Sequence, residues 1–136
     1  MRSWQLGAAG VVDTSPEADP DDDANAAVTR LHSTEEFDTR INSGATTLVQ
    51  FFAPWSGRCR QVRSMVDRVA NDMSIGIDFT RVDIEEMADV AGQHSAERVP
   101  TIVVYQDGVE QARLSGSMTE ADLRRLVVRC RPAYES

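Results

Sequence analysis

Side chains suited to catalysis are few in this chain: the two cysteines, Cys59 and Cys130, and the two histidines, His32 and His94. The one compact constellation is Trp55-Ser56-Gly57-Arg58-Cys59, which follows an apolar run and precedes a helical pattern. A cysteine in the first turn of a helix, with Arg58 and Arg60 beside it, has surroundings that favour a thiolate. Slow monothiol chemistry, such as glutathionylation, and an inert half-buried thiol are both open readings for Cys59. Ser56 is a different matter, because a hydroxyl needs a neighbouring base to become a nucleophile. His32 falls on an edge strand and His94 on a surface helix, so no Ser-His-Asp arrangement arises and both read as bystanders. Ser56 suits a helix N-cap, its hydroxyl accepting from the N–H of Cys59, a contact worth about 1 kcal/mol. Cys130 reads as an ordinary helix residue. Zinc would need more Cys and His ligands than exist here, so neither metal nor cofactor is implied.

The elements that must hold this constellation follow from periodicity. Ala27–Leu31 is a short strand, and Ser33-Thr34-Glu35-Glu36 opens a helix with Phe37 and Ile41 inward. Thr46–Ala53 is nearly continuous in apolar residues, the mark of a central strand covered on both faces. After the turn at Pro54 comes a helix with Val62, Met65, Val66 and Val69 on one face. Ile77–Ile84 reads as a strand and Met87–Ala96 as a short helix. Thr101–Gln106 and Val109–Leu114 flank Asp107-Gly108 as a hairpin. Thr119–Cys130 closes the chain's order as an amphipathic helix capped by Thr119. The result, β-α-β-α-β-α-β-β-α, predicts an α/β domain with a parallel core and a terminal antiparallel hairpin.

This order resembles the thioredoxin family, and so do the landmarks Ala53-Pro54-Trp55-Ser56-Gly57-Arg58-Cys59, Val99-Pro100-Thr101, Asp107-Gly108 and Gly116. The resemblance runs from about residue 28 to 130. It implies the thioredoxin fold, a central mixed sheet flanked by helices on both faces. It also implies a shallow groove for an extended peptide beside Trp55 and a cis Pro100, with Gly57, Arg58, Arg98 and Val99 around it. The family's active site is Trp-Cys-Gly-Pro-Cys, in which the first cysteine attacks a disulfide and the second resolves the intermediate. Here the attacking position is Ser56, and one sulfur cannot form the internal disulfide. Gln50 stands where the family has a buried aspartate for proton transfer, Arg58 where it has proline, and Ser64 where it has a helix-kinking proline.

These residues leave a redox-degenerate binding or assembly component using the peptide groove as the leading reading. The alternative is a thiol-disulfide oxidoreductase, natively Trp-Cys-Gly-Arg-Cys, carrying a Cys-to-Ser change at position 56. Expected partners are protein or peptide segments, acidic ones among them.

Composition bounds the rest. The chain has 136 residues, 41% of them hydrophobic, and a net charge of −8, which excludes nucleic acid as the default partner. The basic residues are all arginine. Asp13, Glu17, Asp19, Asp21, Asp22 and Asp23 form an acidic run with Pro16 and Pro20 and no base. Residues 1–26 are therefore expected to be an acidic leader, 27–131 the domain and 132–136 a short tail. No apolar run is long enough to span a membrane. Two well-separated cysteines make no secreted disulfide framework, so an intracellular setting, cytoplasmic or organellar, is expected.

Overall fold

The computed structural model describes residues 27–73 and 76–130; the acidic leader and the short tail lie outside them. Along the chain come β1 (Val28–Leu31), α1 (Thr34–Ile41), β2 (Thr46–Phe52), α2 (Gly57–Met73), β3 (Ile77–Asp83), α3 (Ala88–Gln93), β4 (Thr101–Gln106), β5 (Val109–Ser115) and α4 (Glu120–Cys130). The five strands form one sheet in the order β1-β3-β2-β4-β5. β1, β3 and β2 run parallel, while β4 is antiparallel to β2 and β5 to β4. Every residue of β2 is buried, as a central strand requires.

The helices divide between the two faces. Leu48, Phe79 and Ile102 meet Val62 and Val66 of α2 and Leu123 of α4 on one side. Val49, Phe51, Val82 and Tyr105 meet Phe37 and Ile41 of α1 and Val90 of α3 on the other. Because successive strand residues point to opposite faces, each strand feeds both cores.

Caps and turns set the boundaries. Ser33 caps α1, its hydroxyl accepting from the N–H of Glu36. Thr119 caps α4, and its own N–H donates back to Asp122, a reciprocal box. β3 stops at Asp83, not Ile84, because the Asp83 carboxylate accepts from the N–H of Glu85 and starts a turn. α3 is shorter than Met87–Ala96: Ser95 adopts φ of 54° and the N–H of Ala96 returns to the carbonyl of Ala91. Asp107 and Gly108 both have positive φ in the β4–β5 turn, and a Cβ on Gly108 would collide with the Asn42 side chain.

Candidate functional site

β2 and β3 end at the same edge of the molecule, and ligands of parallel sheets bind beyond such carboxyl ends. From β2 the chain passes through Ala53 and Pro54 to Trp55 and enters α2. Ser56 caps that helix: its Oγ accepts from the N–H of Cys59 at 3.2 Å, and its carbonyl accepts from Arg60 at 3.3 Å. The hydroxyl is thereby engaged as a cap, and no histidine contacts it among the described residues. Cys59 is 3% exposed, beneath the first turn. Gly57, Arg58 and Arg60 face solvent, and Arg60 donates to the carbonyl of Pro54. Both cysteines are free thiols; burial pushes the Cys130 thiol up.

Trp55 is 67% exposed and its indole N–H donates to Glu85 at 2.5 Å. Ordinary packing against the sheet edge does not describe it. Thr101 pairs with Phe51 across β4 and β2, which brings the loop before β4 to the start of α2. In that loop the Val99–Pro100 peptide is cis. The Pro100 carbonyl accepts from the N–H of Gly116, and the Arg98 carbonyl accepts from the Thr101 hydroxyl at 2.6 Å. Pro100 is buried, Val99 half-buried and Arg98 exposed. Trp55, Ser56, Gly57, Arg58, Cys59, Arg98, Val99 and Pro100 thus share one end of the sheet.

Gln50 lies deeper, fully buried on the face covered by α2. Its Oε1 accepts from Nε of Arg81 at 3.1 Å, the residue paired with it on β3. Arg81 is 1% exposed, and its Nη2 reaches Asp67 of α2 at 2.9 Å. An amide cannot take up a proton, so Gln50 offers no general base. Sequence reading missed Arg81. Its signal was a lone cation at a position where Phe79 sets the inward parity of β3. At the rim Arg30 closes on Asp83 and Glu86 and lies over the Phe52 ring at 5.4 Å.

His94 departs from expectation. It is no surface bystander: its ring stacks edge-on against Phe37 at 4.8 Å and its Nδ1 meets the Tyr105 hydroxyl at 2.9 Å. Burial holds its pKa below the ordinary 6.5. This pair lies on the opposite face from Gln50, behind α1 and α3. His32 is exposed and pairs with Glu86. Among the described residues no three His, Cys, Asp or Glu side chains cluster so as to hold a metal ion.

The thioredoxin family model matches residues 28–129. The chain is a member of the thioredoxin family. Thioredoxin-2 of Saccharomyces cerevisiae is 34% identical over 91 residues, covering 66% of this chain and 86% of the yeast protein. Thioredoxin 1 of Synechococcus elongatus is 32% identical over 83 residues, 61% of this chain and 78% of its own. Among solved structures, Fasciola hepatica thioredoxin superposes with a TM-score of 0.70 at 30% identity, covering 76% of this chain and 99% of that one. A mutant thioredoxin from Halobacterium salinarum gives 0.71 at 22% identity, over 85% and 96%. The five-stranded mixed sheet with helices on both faces is therefore the thioredoxin fold. Within it, the position that opens α2 carries the Ser56 cap.

Proposed function

We propose that this thioredoxin-family chain is a redox-degenerate binding or assembly component, holding extended protein segments at the surface formed by Trp55, Arg58, Arg98, Val99 and Pro100. The carrying observation is the engagement of Ser56 as the α2 cap, with Cys59 buried beneath it and no second sulfur in the motif. The exposed Trp55 ring supplies a rigid apolar platform, and Arg58 and Arg98 supply charge around it. An intracellular setting belongs to the same reading. Among the described residues no helix is long and apolar enough to cross a membrane.

The test combines an insulin-reduction assay with peptide binding by fluorescence anisotropy. The chain should show no reductase turnover yet bind extended peptides saturably, and Cys59→Ser should bind them equally well. Catalytic insulin reduction, or binding that disappears with Cys59, overturns the proposal.

A second reading is favoured by the thioredoxin names of its relatives and by Cys59 in the first turn of α2. On it, position 56 is natively cysteine and the protein is a thiol-disulfide oxidoreductase. Ser56→Cys should then form a disulfide with Cys59 and reduce insulin at the rate of an ordinary thioredoxin. Under the binding reading the restored dithiol is weak, because Gln50 cannot move a proton.

A further inference from the structure

α2 breaks a rule that the other described helices obey. α1 carries Glu35 and Glu36 in its first turn, α3 carries Asp89, and α4 carries Glu120 and Asp122. α2 carries no acid there but Arg58 and Arg60. Cations at a helix N-terminus oppose the backbone dipole by some tenths of a kcal/mol. Local violations of this kind are expected at functional or strained sites. Arg98 adds a third cation at the same end of the sheet.

These cations also differ from most of the arginines elsewhere, the exposed Arg129 at the end of α4 excepted. Arg40, Arg68, Arg113, Arg124 and Arg125 each close on a carboxylate. Arg58, Arg60 and Arg98 hold none among the described residues. Of the acids at that end, Asp83 and Glu86 face Arg30, while Glu85 accepts from the uncharged Trp55 indole and Glu97 is exposed, so neither of these two meets a cation among the described residues.

We propose that the chain's own acidic segment, residues 13–23, docks in cis across the start of α2 beside Trp55. The proposal rests on the reading of this surface as a peptide-binding one. Complementarity of charge carries it, since the segment holds six carboxylates and no base. Reach is sufficient. Ala27 enters β1 at the far end of the parallel strands, about 23 Å along the sheet and two strand spacings from α2. An extended chain covers that in about eight residues, so the acids from Asp19 back to Asp13 are within reach of the three arginines. Pro16 and Pro20 favour the extended conformation that such an occupant needs.

The test uses the full chain with Trp4→Phe, which leaves Trp55 as the sole tryptophan. Acrylamide quenching of Trp55 is measured in low salt, with and without the further changes Asp13→Asn, Glu17→Gln and Asp19→Asn. Neutralising the acids should raise the quenching constant roughly twofold, and about 0.5 M salt should erase the difference. The same neutralisation should change nothing once Arg58 and Arg98 are alanine. Equal quenching in both chains at low salt overturns the proposal. A difference that grows with protein concentration assigns the site to a second copy and also overturns it. Peptide binding on the same variants separates the two readings. If external peptides bind the parent and the neutralised chain equally and quenching is unchanged, the cis segment is excluded and the groove stands. If neither chain binds them, the groove reading fails. With the segment docked, an acidic external peptide should bind the neutralised chain severalfold more tightly.

Discussion

The two faces of the sheet bury different things. Behind α1 and α3 lies an aromatic cluster: Phe37 packs against Phe51 at 6.2 Å and Tyr105 at 5.9 Å, with the His94 ring closing its margin. The buried polar groups there are neutral: the Tyr105 hydroxyl meets the His94 ring, and the Thr47, Thr80 and Thr101 hydroxyls donate to backbone carbonyls. Beneath α2 the core instead contains a full charge, Arg81, held between the Gln50 amide and Asp67. A buried cation is costly unless paired, whereas a hydroxyl–imidazole contact is cheap. The polar layer sits on the face that carries α2 and its cap. The aromatic face thus buries neutral groups, whereas the α2 face buries a paired charge.

The largest effect expected from this contrast lies on the aromatic side. Phe37 is fully buried, so Phe37→Ala should cost about 4 kcal/mol through lost contacts and the cavity left behind. Urea unfolding measures it. A cost below about 2 kcal/mol would mean that the cluster collapses to fill the space and is not the rigid face.

Next comes the buried charge. Asp67→Ala removes the carboxylate that faces a guanidinium 1% exposed. The expected loss is about 3 kcal/mol, at the low end for a broken buried pair because Asp67 is itself partly exposed. Replacing the charge should be gentler: Arg81→Met combined with Asp67→Ala is expected about 1–2 kcal/mol below the parent, the remainder being the Gln50 carbonyl left without its donor. The double-mutant cycle thus reports whether the α2 face carries its charge for stability. If the double variant is as unstable as Asp67→Ala alone, the guanidinium contributes packing that methionine cannot supply.

Much of this arrangement was legible in the sequence, and the gaps have physical causes. β2 was readable because Leu48, Val49, Phe51 and Phe52 leave no exposed alternation, and Ser33 and Ser56 were readable because capping is local. Arg81 was not: its partners Asp67 and Gln50 lie 14 and 31 residues away, and a lone arginine in a strand looks like an exposed position. His94 was misjudged for the same reason, since Tyr105 and Phe37 come from other elements. The end of α3 was overrun because the left-handed Ser95 carries no glycine to announce it.

Smaller still is the cap on the polar face. Ser56→Ala should cost about 1 kcal/mol, close to Ser33→Ala at the start of α1. Equal costs would treat the two serines as the same device on the two faces. A Ser56→Ala loss well above that of Ser33→Ala would show that disturbing the α2 start unsettles the Arg81 layer beneath it. Insulin reduction should stay absent in either variant.

The smallest effect is a pH dependence belonging to the aromatic face. In the unfolded chain the His94 imidazole titrates near 6.5, whereas burial in the fold lowers its pKa, with Arg113 acting the same way and Asp38 and Glu110 opposing. Below 6.5 the unfolded state binds a proton that the folded state resists, so stability rises with pH across that window. The contribution is therefore fully present above the unfolded pKa and is lost as pH falls toward the lower folded one. The lowered carboxylates of Glu110, Glu120 and Asp122 act further down, in the acid range. Urea unfolding between about pH 7.5 and 5.5 isolates the histidine window. The urea midpoint should fall with pH in the parent and stay flat in His94→Gln, whose amide can still meet the Tyr105 hydroxyl. If the glutamine variant keeps the parent's slope, the titrating group lies elsewhere.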